Sequence, residues 1–113
     1  MREIRPWGYF EILYEDSNAK VKKIRVNSGH VLSYQSHKKR REDWIIIEGS
    51  GYVVIEGVQT DCSQGDRFRI DLDQKHRIGS SFKDPGLTFI EIQTGEYFGE
   101  DDIIRYSDIY NRR

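Results

Sequence analysis

Short segments rich in β-forming residues recur along this chain, and their spacing restricts the fold more than any other feature of the sequence. Six such segments, at residues 7–14, 20–26, 44–47, 52–55, 67–72 and 88–94, are separated by glycines and polar pairs. Many short strands at intervals of about ten residues are typical of antiparallel sandwiches and barrels. The sequence therefore predicts an all-β fold, and residues 1–113 are long enough for one domain of this kind.

Two parts of this pattern predict more local structure. The continuous apolar run at residues 44–47 is typical of a strand buried on both faces. Gly49 and Gly51 predict a tight turn between that strand and the next one. Towards the end of the chain, residues 101–112 space isoleucines and tyrosines so that they line one side of a predicted short C-terminal helix.

Charge and cysteine content exclude several classes of protein. The 18 basic and 19 acidic residues leave a net charge of −1, which argues against a general nucleic-acid or membrane-surface binder. No apolar run reaches the roughly 20 residues of a membrane span, and the first residues have no apolar signal core. Cys62 alone forms neither an internal disulfide nor a cysteine-rich zinc site, so we expect a reduced, cytoplasmic setting.

Four polar residues have the spacing of a metal site. Strand alternation puts Gln35 and His37 on one face, and Glu42 follows a short loop that can return its carboxylate to that face. His76 must come from a separate hairpin. An amide, two imidazoles and a carboxylate converging in a barrel mouth suit Zn, Fe, Mn, Co or Ni, and these ligands do not select one of them.

The spacing of these residues resembles the two signature motifs of the cupin superfamily. Gly29 and Gly49 flank the first motif, in which Gln35 replaces the usual first histidine. In the second motif Gly65 and His76 are in place, whereas the usual proline, glycine and asparagine are replaced by Asp71, Asp73 and Ser80. The resemblance implies a cupin double-stranded β-helix, or jelly-roll barrel.

A narrower resemblance covers nearly the whole chain. Residues 32–37, followed by Arg40, Glu42 and Trp44, are similar to the LSxQxHxxRxEHW stretch of type II phosphomannose isomerases. These cupin domains are often fused behind a mannose-1-phosphate guanylyltransferase. The RPWG at 5–8, the IEIQTG at 90–95 and the GEDDI at 99–103 agree with the same family. The sequence departs from the family at Asp43, where a histidine is usual, and at Asn111, where a glycine is usual.

This resemblance implies a metal-dependent enzyme that interconverts mannose 6-phosphate and fructose 6-phosphate through an enediol. A divalent metal ion would be held by the four residues of the predicted metal site, Gln35, His37, Glu42 and His76. Asp43 or Lys39 would move the proton, and the sequence does not decide between them. A homodimer is also implied. Because no glycine-rich nucleotide loop is present, no guanylyltransferase activity is expected of this chain.

Two charged runs have open interpretations. The basic run at residues 38–41 is either a solvated loop or a phosphate-binding edge, and Arg40, which matches the family, is the best candidate, with Arg77 or Arg105 beside it. The acidic run at residues 96–102 ends in Asp101 and Asp102, which we expect at a helix N-terminus. Arg105 then either pairs with these carboxylates or binds phosphate.

Three other functions remain open at this point. A non-catalytic cupin module would bind a metal and a sugar without turnover. A cupin dioxygenase would need bound iron and would consume oxygen. A sugar-nucleotide epimerase would rely on a His–Asp pair and a tyrosine in the barrel, and it would have no reason to keep the four-ligand set.

Overall fold

The computed structural model describes residues 1–83 and 85–107, which form ten β-strands and one short 3-10 turn. The strands are β1 (Arg2–Arg5), β2 (Gly8–Glu15), β3 (Ala19–Val26), β4 (Tyr34–His37), β5 (Arg40–Ile55), β6 (Val58–Ser63), β7 (Arg67–Ile70), β8 (His76–Ser80), β9 (Leu87–Gly95) and β10 (Ile103–Ser107). The 3-10 turn spans Glu100–Asp102. The prediction of an all-β fold is confirmed.

The strands form two antiparallel sheets that share β5. In the first sheet the order is β1-β2-β3-β9-β5, and β7 pairs with the first half of β5. In the second sheet the order is β5-β8-β4-β10, and β6 pairs with the second half of β5. The result is a curled sheet whose two inner faces enclose one interior, as in a jelly-roll barrel.

The predicted tight turn at Gly49–Gly51 is wrong, because β5 runs through it as one strand of 16 residues. The chain bends there instead, and the register against β9 shifts between Ile46 and Glu48. Gly49 adopts a φ of 83°, and a Cβ at this position would lie 1.7 Å from the carbonyl oxygen of Gly86. A glycine therefore allows β5 to pass from one sheet to the other at a point where two backbones nearly touch.

The hydrophobic core lies at one end of the interior. Its members are Trp7, Phe10, Ile24, Val26, Trp44, Ile46, Val53, Cys62, Ile70, Ile78, Leu87 and Phe89. The apolar run of β5 contributes only its inward residues, Trp44 and Ile46, whereas Ile45 is half-buried and Ile47 is 40% exposed. The prediction of burial on both faces is therefore wrong for the outer face, since no described element packs over it.

The predicted C-terminal helix is also wrong for residues 103–107, which form strand β10. This strand pairs with β4, so that Arg105 lies opposite Gln35 and Ile103 opposite His37. The pairing satisfies backbone groups at the edge of β4 that a helix would leave without partners. Residues 108–112 of the predicted helix lie outside the described residues. Within the described part of the chain, no helix is long and apolar enough to cross a membrane.

Candidate metal centre and cavity

The structure brings the four predicted metal ligands together at the polar end of the interior. Gln35 and His37 lie on β4, Glu42 on β5 and His76 on β8, and Gln35 is the cross-strand partner of His76. Each of His37, Glu42 and His76 offers a ligand atom, and these atoms lie within 4.8 Å of one another. All three side chains are buried, and the Gln35 amide oxygen is 3.1 Å from Nε2 of His37.

Hydrogen bonds outside this cluster orient two of its members. Nδ1 of His76 lies 2.8 Å from the carbonyl oxygen of Gln74 and donates to it, so Nε2 carries the lone pair and lies 3.8 Å from Oε1 of Glu42. The Gln35 amide nitrogen donates to Oγ of Ser33 at 3.0 Å, which turns the amide oxygen towards His37. These side chains are fixed with electron pairs facing one another.

Glu42 is held as an ionised carboxylate. Its Oε1 accepts a hydrogen bond of 3.0 Å from the indole of Trp44, and its Oε2 accepts one of 3.0 Å from Nε of Arg40 and lies 2.9 Å from Nη2 of the same guanidinium in an ion pair. Burial alone favours the protonated form, but the charge of Arg40 and these hydrogen bonds outweigh it, so the pKa of Glu42 lies below its usual range.

His37 is neutral at ordinary pH. Burial, together with the nearby Arg40 and His76, lowers its pKa to about 3. Its contact of 3.6 Å with Oε2 of Glu42 is therefore not an ion pair. Nη2 of Arg40 donates a hydrogen bond to Nε2 of His37 at 2.8 Å. The amide oxygen of Gln35 faces the same nitrogen, so these two acceptor atoms, Nε2 of His37 and Oε1 of Gln35, lie 3.1 Å apart with no proton between them.

This arrangement fits a divalent cation. Acceptor atoms of Gln35, Glu42 and His76 lie in one cluster, and the neutral imidazole of His37, whose Nε2 accepts from Arg40, adds a second nitrogen to this mixed nitrogen and oxygen set. Arg40 lies beside this set and holds one oxygen of Glu42, which leaves the other oxygen facing His76.

A cavity of about 80 Å³ opens beside the cluster and is lined by all three of the arginines predicted to bind phosphate, Arg40, Arg77 and Arg105. Within the described residues, Nη2 of Arg77 and Nε of Arg105 are buried and have no hydrogen-bond partner. A buried donor without an acceptor is energetically unfavourable. These two nitrogens are therefore suited to an anionic ligand.

The two residues predicted to move a proton do not lie in this cavity. Asp43 alternates with Glu42 and Trp44 on β5 and so lies on the outer face of the sheet. Lys39 is exposed, and its ammonium group lies 5.4 Å from the ring centre of Tyr97. The assignment of proton transfer to Asp43 or Lys39 does not fit the fold, because alternation and the turn before β5 direct both side chains away from the interior.

The basic run is divided between the two interpretations left open for it, and Asp102 of the acidic run has a different role from the predicted one. Arg40 is buried, whereas Lys38 and Lys39 are exposed in the turn between β4 and β5, so only one part of the basic run is a solvated loop. Asp102 caps no helix. Its carboxylate accepts hydrogen bonds from the backbone N–H groups of Lys38 and Lys39 at 3.3 and 3.0 Å, and it thereby holds the turn that separates His37 from Arg40.

Sequence reasoning missed three polar residues of the interior, Lys22, Glu91 and Gln93. Lys22 and Glu91 line the cavity, and Gln93, fully buried, donates a hydrogen bond to Glu91. Glu91 and Gln93 alternate with Ile90 and Ile92, and such a pattern normally places the isoleucines inside. Phe89 could have identified the inner face of β9, because it lies on the same face as Glu91 and belongs to the core.

The jelly-roll fold and the inward His, Gln and Glu ligand set define this protein as a cupin with a candidate metal centre. A family model described as "Mannose-6-phosphate isomerase C-terminal" matches residues 1–108, and the chain belongs to this family. The chain is 38% identical over 112 residues to a mannose-1-phosphate guanylyltransferase of Klebsiella pneumoniae, covering 98% of this chain and 24% of that protein. The chain thus spans about a quarter of the length of the curated relatives it matches.

Solved structures agree on the fold. A cupin protein from Bacteroides fragilis has 28% sequence identity and a TM-score of 0.64, with 74% of this chain and 70% of that chain covered. Oxalate decarboxylase from Bacillus subtilis has 20% identity and a TM-score of 0.80, with 100% of this chain and 31% of that chain covered. At such low identity the decarboxylase supports the fold and not the reaction.

Proposed function

We propose that this chain is a metal-dependent sugar-phosphate isomerase that interconverts mannose 6-phosphate and fructose 6-phosphate. One observation carries the proposal. A set of converging lone pairs on Gln35, Glu42 and His76 borders the same cavity as the unpartnered guanidinium nitrogens of Arg77 and Arg105. A cation site beside an anion site suits a substrate that carries a carbonyl group at one end and a phosphate at the other.

The reaction removes a proton from the carbon next to a carbonyl group, so negative charge develops on oxygen. Gln35, His37, Glu42 and His76 would hold a divalent ion, which would supply Lewis-acid stabilisation of this charge worth several kcal/mol. Arg40 keeps the Glu42 carboxylate ionised and oriented, and the indole of Trp44 fixes its other oxygen.

The phosphate group binds at the arginine side of the cavity. Arg77 donates from Nε to the carbonyl oxygen of Leu32 at 3.2 Å, which leaves Nη2 for a ligand. Arg105 offers Nε from β10, beside the cross-strand neighbour Gln35. Binding by guanidinium groups is charge-assisted and directional, and it would orient the sugar relative to the metal ligands.

Direct assay tests this proposal. Purified chain, stripped with a chelator and reloaded with Zn, Co or Mn, is given mannose 6-phosphate, and fructose 6-phosphate is measured. We expect turnover with at least one ion, an increase in KM of about tenfold or more for Arg77→Met, and unchanged turnover for Asp43→Asn on the outer face. Absence of product with all three ions contradicts the proposal.

A non-catalytic sugar-binding module is the second candidate, and the position of Asp43 and Lys39 outside the cavity favours it. Without a group that moves the proton, the same site would bind metal and sugar phosphate but make no product. Thermal unfolding distinguishes the two. A module shows a Tm that rises with mannose 6-phosphate in the metal-loaded protein while no fructose 6-phosphate forms.

A further inference from the structure

Glu91 is a second carboxylate in the interior, separate from the metal ligands. It lies on the inner face of β9, with Lys22 of β3 and Trp44 of β5 as its cross-strand partners, and it is 6% exposed. It lines the same cavity as Glu42 and His76. A carboxylate is rarely buried in a barrel interior unless it is paired or functional.

The partners of Glu91 are few compared with those of Glu42. Within residues 1–83 and 85–107, Glu91 takes part in no ion pair and accepts one hydrogen bond, from the amide of Gln93. Its cross-strand partner Lys22 places its ammonium group 4.3 Å from the ring centre of Phe10. Glu42 is held by Arg40 and Trp44, so the two carboxylates have different environments, as pairs with different roles in proton transfer do.

The charged groups that face Glu91 come from three strands. Burial, and next the negative charge of Glu42, raise the pKa of Glu91, while Lys22 of β3 and Arg40 of β5 oppose this. His37 of β4 is neutral, since its own pKa is about 3. A raised carboxyl pKa brings proton uptake and release closer to neutral pH, where a general acid–base catalyst is most effective.

We propose that Glu91 is the catalytic residue that carries the proton between the two carbons, an inference that rests on the isomerase function proposed above. Glu91 takes the proton of carbon 2 of the aldose. The electron pair of that C–H bond forms the double bond between carbons 1 and 2, and the carbonyl pair moves to oxygen 1. The proton of the hydroxyl at oxygen 2 then moves to oxygen 1. Finally the carbonyl forms at carbon 2, the double-bond pair takes the proton back from Glu91 at carbon 1, and no oxidant is needed.

Gln93 is the positioning residue of this step. Its amide nitrogen fixes one oxygen of Glu91, and its own Oε1 is buried without a partner in the described part of the chain. Gln93 is also the cross-strand partner of Glu42, so it neighbours both carboxylates. It holds Glu91 without supplying a positive charge that would keep the carboxylate ionised.

The test compares Glu91→Gln and Glu91→Asp with the wild type in the metal-loaded full chain. Fructose 6-phosphate formation gives kcat and KM, and NMR in deuterated water follows exchange of the carbon 1 hydrogen. We expect Glu91→Gln to lose about 100-fold or more in both kcat and exchange, with KM and metal content unchanged. We expect Glu91→Asp to keep part of both, and Asp43→Asn to match the wild type.

The outcomes separate this inference from the proposed function. If the wild type turns over and Glu91→Gln keeps kcat or exchange within about threefold, Glu91 is not the proton carrier although the isomerase stands. If the wild type neither turns over nor exchanges with Zn, Co or Mn, both proposals fail. Folding is checked by circular dichroism, and if Glu91→Gln does not fold, a folded Glu91→Asp that keeps the full wild-type kcat and exchange rate contradicts the proposal.

Discussion

The interior of the barrel has an apolar half and a polar half, and the same three strands, β3, β5 and β9, contribute to both. In one half, Val26 lies opposite Leu87, and Ile24 and Ile46 lie opposite Phe89. A few residues further along the same ladders, the inward positions change from apolar to polar.

In the polar half, Lys22 and Trp44 lie opposite Glu91, and Glu42 lies opposite Gln93. These polar side chains are as buried as the core, since Gln93 is fully buried and Glu42 is 2% exposed. The comparison shows that the apolar burial of these strands lies in one half of the interior, whereas the other half buries polar and charged side chains, which is the half proposed to bind metal and substrate.

The largest expected effect is the loss of a core side chain from the apolar half. Phe89 is fully buried against Trp44, with ring centres 5.2 Å apart. Phe89→Ala should lower the free energy of unfolding by about 3–5 kcal/mol, measured by urea denaturation of the metal-free protein.

The matched control is Ile92→Ala, on the outer face of the same strand, which should cost less than about 1.5 kcal/mol because Ile92 is only half-buried. An equal loss for Ile92→Ala would contradict the comparison. It would indicate that the outer face is covered in solution.

In the polar half the expected effect is on metal binding and not on folding. His76→Gln removes an imidazole nitrogen from the ligand set and should weaken Zn binding at least 100-fold, about 2.7 kcal/mol, by titration against a chelating dye. Its unfolding free energy without metal should change far less than that of Phe89→Ala. Unchanged Zn affinity would remove His76 from the metal centre.

A third expected effect, small over any one pH unit, is a pH dependence of stability. His37 has a folded pKa of about 3, below the value of about 6.5 in an unfolded chain, so the unfolded state binds the extra proton between these values. The stability of the metal-free protein should therefore fall as pH decreases from about 6.5 towards 3, with a contribution of up to about 1.4 kcal/mol per pH unit.

His37→Gln should remove this part of the slope. Denaturation of the two proteins at a series of pH values measures it, and parallel curves would show that His37 carries no such shift. Glu91 acts in the opposite direction. Its raised pKa means that the cost of its buried charge is present above its folded pKa and disappears as the pH falls below 4.5.

Much of this architecture follows from the sequence alone. The repeated short strands determine the all-β fold, and strand alternation places Gln35 and His37 on one face. The motif spacing also identified Glu42 and His76, which the structure brings within 4.8 Å of His37. The strands and the shared face of Gln35 and His37 depend on local backbone geometry, and Glu42 and His76 are found from the spacing of the motifs, so the sequence is enough to predict them.

Only the tertiary structure decided which face of each strand is inside. Alternation separates Glu91 from Ile90 and Asp43 from Glu42, but it does not say which of each pair faces the cavity. That choice depends on the cross-strand register, which aligns Glu91 with Trp44 and Gln93 with Glu42. The secondary structure of residues 103–107 was also decided by tertiary contacts. Ile103–Ser107 forms a strand because it pairs with β4, which is more than 60 residues away in the chain.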